Sequence, residues 1–127
     1  MAFKFEDLDV WKLSLEHLDG VYRLADRLPK EEVYNLRSQW IRAATSISLN
    51  IAEGSTGQSD QEQGRFLGYA VRSLAESAAC LRIAQHRGFL PADPGWEEQM
   101  DKLVRKLQSF RAAIAAHSNS TRTVRCR

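Results

Sequence analysis

The chain has 127 residues, room for one domain, and 18 Lys and Arg against 16 Asp and Glu give it a formal charge of +2. A 43% hydrophobic and 27% charged composition excludes wholesale disorder, and three prolines with seven glycines exclude a turn-rich β fold. The N-terminus lacks the apolar core of a signal peptide, no stretch is apolar enough to span a membrane, and Cys80 and Cys126 are too few for a secreted disulfide scaffold, so a cytoplasmic protein with free thiols is expected.

Four helices are predicted. The first runs from about Asp7, as N-cap, to Leu28, where Pro29 stops it. Leu8, Trp11, Leu15, Leu18, Tyr22 and Ala25 alternate steps of three and four, and a second stripe of Val10, Val21, Leu24 and Leu28 lies beside them. The second helix runs from Glu31 or Glu32 to Glu53, with Leu36, Trp40, Ala43, Ala44, Ile47 and Ile51 on its apolar face and Gly54 as C′ residue. The third starts near Asp60 behind an N-capping Ser59, with Glu62 at capping-box spacing, and ends at Gly88. It carries a large stripe, Leu67, Val71, Leu74, Ala78 and Leu81, and a small one, Ala70, Ser73, Ser77, Cys80 and Ala84. The fourth runs from Pro94, capped by Asp93, to His117, with Trp96, Met100, Leu103, Leu107, Phe110 and Ile114 at core spacing and with Glu98–Lys102 and Asp101–Arg105 as i,i+4 pairs.

Short loops between four amphipathic helices predict an all-α, antiparallel up-down-up-down four-helix bundle over residues 1–117, followed by a disordered basic tail, 118–127. Residues 1–117 hold 15 basic and 16 acidic side chains, so the tail carries the whole positive excess. The second stripes on the first and third helices exceed what one bundle core needs, which predicts burial of the surplus in a homo-oligomer.

Arg42, Ser46, Asn50 and Glu53 step by four, four and three along one face of the second helix. They are expected to satisfy one another, with Glu76 of the third helix, as a structural polar network rather than a ligand site. His17, His86 and His117 lack the Glu-x-x-His spacing of a bundle metal site and are read as surface or helix-end residues. Cys80 has no neighbouring base, and Glu31-Glu32 and Glu97-Glu98 occupy first helical turns, where acids suit the dipole. No catalytic residue, metal site or cofactor is expected.

Three stretches carry a family resemblance: Phe5-Glu6-Asp7-Leu8-Asp9-Val10-Trp11; Tyr34-Asn35-Leu36-Arg37-Ser38-Gln39, through Arg42-Ala43-Ala44-Thr45-Ser46-Ile47, to Asn50-Ile51-Ala52-Glu53-Gly54; and Ser73-Leu74-Ala75-Glu76. Over about residues 5–116 the chain resembles the four-helix-bundle proteins named for the 23S rRNA intervening sequence, a family similar to the accessory variability determinant of diversity-generating retroelements. The resemblance implies an antiparallel bundle assembled into a ring, usually a homopentamer. Because the retroelement relatives are strongly basic and bind RNA, DNA and a reverse transcriptase, it also implies nucleic-acid binding. The chain departs from the family pattern in having Ile41 before Arg42, Arg72 before Ser73, and a near-neutral body.

Basic residues are then the candidates for contact with RNA or DNA: Arg65 and Arg72, seven apart on the third helix; Lys102, Arg105 and Lys106 on the fourth; and Arg122, Arg125 and Arg127 in the tail. A ring would repeat each cluster and multiply a modest charge. The competing expectation is a scaffold that binds a partner protein and no nucleic acid, to which the neutral body and the apolar surplus point.

Overall fold

The structure, a computed structural model, describes residues 3–57 and 59–125, with side chains as far as residue 120. Four α-helices make up the described chain: α1, Asp9–Ala25; α2, Ser38–Gly54; α3, Asp60–His86; and α4, Pro94–Arg125. No strand occurs among the described residues. Side-chain pairs show the direction of packing. Along α1, Ser14 meets Ser48, and beyond its C-terminus Asp26 meets Arg37 just ahead of α2. Along α2, Trp40 meets Ser77 and Ser55 meets Gln63. Along α3, Arg82 meets Glu97 and Asp60 meets His117. Each pairing rises on one helix as it falls on the next, so successive helices are antiparallel, and α1 packs on α4 to close the ring of four.

The core is one cluster drawn from every helix, with Trp40, Ile47 and Ile51 of α2, Leu67 and Leu81 of α3, and Leu103 and Leu107 of α4 wholly buried. Each such side chain withdrawn from water contributes roughly 1.5–3 kcal/mol. The apolar face predicted for α2 is buried throughout. The small stripe of α3 is consumed inside the chain, because Ala70, Ser77, Cys80 and Ala84 are all buried.

On α1 the core-facing line is Val10, Ser14, His17, Val21 and Leu24. The longer stripe becomes a flank: Leu15 is 37% and Tyr22 46% exposed. Two polar residues, Ser14 and His17, occupy core positions, so counting apolar side chains favours the wrong line.

Helix ends differ from the sequence-based expectation at several points. A 3-10 turn, Lys4–Asp7, precedes α1, and extended Leu8 holds the N-cap position that Asp7 was expected to fill. Phe5 packs edge-on against Trp11 at 4.6 Å between ring centroids, tying this segment down. The predicted start of α2 resolves into a 3-10 turn, Lys30–Glu32, and a π-helical turn, Val33–Arg37, in which Leu36 is buried and Arg37 binds Asp26 at 3.0 Å. Gly54 is the last residue of α2 and has no positive φ; a Cβ there would lie 2.8 Å from Cβ of Phe66, so close approach of α3 explains the glycine.

Ser59 caps α3 as expected, accepting from the Glu62 amide at 3.1 Å, and Asp93 caps α4, accepting from the Trp96 amide at 3.2 Å. Gly88, at φ +76°, closes a Schellman motif, with the Phe89 amide on the Ala84 carbonyl and the Gly88 amide on the Gln85 carbonyl. The boundary drawn at His117 is not a helix end: α4 continues to Arg125, since neither glycine nor proline interrupts residues 118–125. Cys126 and Arg127 lie outside the described residues.

Candidate nucleic-acid interface and buried polar core

The face of α2 holding Arg42, Ser46, Asn50 and Glu53 forms a smaller network than expected. Asn50 donates to the Ser46 carbonyl at 2.8 Å and to Ser46 Oγ at 3.1 Å, and Ser73 of α3 bonds Ser46 Oγ at 2.9 Å. Arg42 and Glu53 are exposed and make no ion pair among the described residues, and Glu76 meets Gln39 at 3.4 Å instead. The α2–α3 seam is bridged on this face through Ser46. Ser73, one residue from the familiar Arg72 position, supplies the partner.

A second polar cluster, unpredicted, sits in the core. Ser14 Oγ donates to the Trp11 carbonyl at 2.7 Å and shares a 2.8 Å hydrogen bond with Ser48 Oγ. Ser77 Oγ accepts from Trp40 Nε1 at 3.0 Å and pairs with His17 Nε2 at 2.8 Å. The His17 ring stacks on Trp96, centroids 4.9 Å apart. His17 is 3% exposed, not a surface residue, and burial lowers its pKa from 6.5 to about 4. Its Nδ1 has no hydrogen-bond partner, so a charged imidazolium would bring an unmet N–H into the core.

Ser77 and His17 stand at the spacing of a nucleophile and its base, but Ser77 is wholly buried and no carboxylate orients Nδ1. This pair organises packing. Cys80 is likewise buried; burial first, with the nearby Glu76 charge adding, pushes its thiol up to about 11, so it stays protonated and behaves as a small apolar residue. No three His, Cys, Asp or Glu side chains gather as a metal site among the described residues.

The basic candidates divide between two grooves. Arg65 is exposed, bonds Glu62 at 2.8 Å and lines a cavity of about 750 Å³ between α3 and α4. Arg72 is exposed on the same side of α3, two turns on. Lys102 lines a smaller cavity of about 100 Å³ with Glu16 and His17, beside α1. Arg105 and Lys106 are exposed on α4. Neither Glu98–Lys102 nor Asp101–Arg105 closes to an ion pair, so Arg72, Lys102, Arg105 and Lys106 all stand without an acidic partner among the described residues. Arg122 and Arg125 belong to the last turns of α4.

Arg111 was missed by sequence reasoning. Its guanidinium lies over Gly68 of α3 and lines the α3–α4 cavity beside Arg65. The only signal in the sequence is the pair Gly64 and Gly68, which clears one face of α3. A third concavity, about 380 Å³, lies between the π-helical turn and α3, over Leu36, Cys80, Ile83 and Phe89. Among the described residues no helix is long and apolar enough to cross a membrane.

The model of the family described as 23S rRNA-intervening sequence protein matches residues 6–116, the whole bundle but the end of α4. No curated protein matches the chain.

Proposed function

The chain belongs to the 23S rRNA-intervening sequence protein family, and from that premise we propose that it is a non-enzymatic, cytoplasmic homo-oligomer, a homopentamer, that binds RNA or DNA as an accessory to a ribonucleoprotein. One observation carries this reading: Arg72, Lys102, Arg105 and Lys106 are exposed and have no acidic partner among the described residues. A surface that used the α4 charges only for intrahelical support would pair Lys102 with Glu98 and Arg105 with Asp101 at the available i,i+4 spacing. Left free, and repeated around a ring, they form a field for phosphates that positions a strand without reading its bases. The buried tryptophans Trp40 and Trp96 offer no stacking platform, which agrees with a contact to the backbone alone.

A second reading, a scaffold for a partner protein without nucleic acid, draws on a different observation: Tyr34 is 96%, Leu49 55% and Ile83 51% exposed. Fluorescence anisotropy with a short single-stranded RNA separates the two. The accessory reading expects binding at about 50 mM salt that weakens steeply by about 200 mM, with a log–log slope of roughly −0.7 for each phosphate neutralised on a single strand. Absence of binding at the lower salt sinks it and leaves the scaffold.

A further inference from the structure

We propose that Arg65, Arg72 and Arg111 form a phosphate-binding groove between α3 and α4, with Arg111 as its anchor; the identity of the phosphate as part of a nucleic acid rests on the reading above. The anchor is an exposed guanidinium seated over a glycine. A Cβ built on Gly68 would lie 3.0 Å from Arg111 Nη2, 3.2 Å from Cζ and 3.5 Å from Nε. Three such similar distances describe a planar group laid flat on the helix backbone where a side chain is missing. The donor edges of that plane then point sideways, along the groove.

Among the described residues nothing meets those donors. Arg111 makes no hydrogen bond or ion pair among the described residues. Its neighbours one turn away on α4 are Leu107, Gln108, Ile114 and Ala115, and those flanking Gly68 on α3 are Gly64, Arg65, Val71 and Arg72. None is acidic. Asp60, the acid among the residues lining the cavity, is engaged by His117, and nearby Glu62 by Arg65. Arg65 and Arg72 stand three residues before and four after Gly68, on the helix face that Gly68 occupies. Two guanidinium groups, Arg65 and Arg111, therefore border a cavity of about 750 Å³, and Arg72 extends the basic face beyond it along α3.

Arginine suits this role because its planar fork matches two oxygens of a phosphate. A cavity of about 750 Å³ has room for a phosphate within a chain, and a free phosphate compound offers the same oxygens.

The test follows the Arg111 Nε–Hε resonance of the full chain by NMR at constant ionic strength, titrating a short single-stranded RNA and, separately, inorganic phosphate. RNA affinity is measured in parallel for Arg111→Ala, Gly68→Ala and Lys102→Ala. The groove predicts that RNA shifts the Arg111 resonance, that Arg111→Ala weakens RNA binding about tenfold and reduces the magnitude of the salt slope by roughly 0.7, and that Lys102→Ala does less. Gly68→Ala, whose new Cβ would displace the guanidinium, should mimic Arg111→Ala while unchanged circular dichroism shows the bundle intact. RNA binding with no Arg111 shift and no loss in Arg111→Ala overturns the groove and leaves the accessory reading standing. A shift with inorganic phosphate but no RNA binding keeps the groove, assigns it to a free phosphate compound and overturns the nucleic-acid reading. No shift with either ligand overturns the groove.

Discussion

His17 shows how one residue ties packing to pH. It is stacked on Trp96, bonded to Ser77 and lowered to a pKa of about 4 by burial. The unfolded chain titrates this imidazole near 6.5, so between pH 6.5 and 4 it binds a proton that the native state refuses. Stability from this residue is therefore fully present above pH 6.5, falls as the pH drops towards 4, and changes no further below that. A shift of that size corresponds to about 3 kcal/mol. In urea titrations at pH 7 and pH 4, the His17→Gln variant should lose about 3 kcal/mol less than the native sequence across the interval, carboxylate losses being common to both. Equal losses would show that His17 reaches a proton in the folded state. Gly20, one turn on from His17 along the same helix, makes room for Trp96, since a Cβ there would overlap the indole, so histidine, indole and glycine define one layer of the bundle.

Helix termini divide into those that local chemistry specifies and those that packing specifies. The α3 C-terminus is of the first kind: Gly88 takes φ +76°, and nothing lies within 4 Å of the Cβ it lacks. Gly88→Ala should cost roughly 1–2 kcal/mol through backbone strain alone, seen as a lower Tm with unchanged helicity. A Tm within 1 °C or so of the native value, about a quarter of the smallest shift expected for that cost, would mean the turn has an alternative closure. The caps at Ser59 and Asp93 were legible for the same reason, since a side-chain oxygen reaching an amide two or three residues away leaves a mark in the sequence. So were the apolar faces of α2 and α4. What was not legible depended on partners distant in the chain. The core line of α1 contains Ser14 and His17, whose partners Ser48 and Ser77 lie on other helices, so the flanking stripe looked more apolar than the true core. The π-helical turn at Val33–Arg37 differs from an α-helix only in its hydrogen-bond offset, which no residue type announces. Arg111 looked like any exposed arginine until Gly68 came under it, and Arg42 and Glu53 looked like network members because helical spacing marks a shared face but not which of its members meets a partner on the next helix.

At the scale of the whole molecule, the question is where the apolar surplus goes once α3 has buried its small stripe. The Ser14–Ser48 pair fixes the answer for α1 and α2. Leu15 and Leu49 each follow one of these facing serines, and on antiparallel helices the same step of about 100° turns both to the same side, away from the core. Leu15 is 37% exposed, Leu49 55% and Tyr22, two turns from Leu15, 46%. An apolar ridge thus runs along the outer side of the α1–α2 pair, on helices other than the α3–α4 pair that carries the arginine groove. A homo-oligomer that packs through this ridge keeps every copy of the groove free for a polyanion, which reconciles the apolar surplus with the proposed electrostatic function. The expected outcome is that Leu15→Lys with Leu49→Lys dissociates the assembly. Losing two buried leucines weakens each contact by roughly 3–6 kcal/mol, at least about a hundredfold in Kd. Sedimentation velocity should then show the variant as a helical monomer. RNA binding by that monomer should be weaker and less salt-dependent, because fewer phosphates meet each particle. Persistence of the assembly would move the interface to the groove beside Leu36 and Ile83, next to the fully exposed Tyr34. A native chain that sediments as a monomer would remove the oligomer from the account altogether.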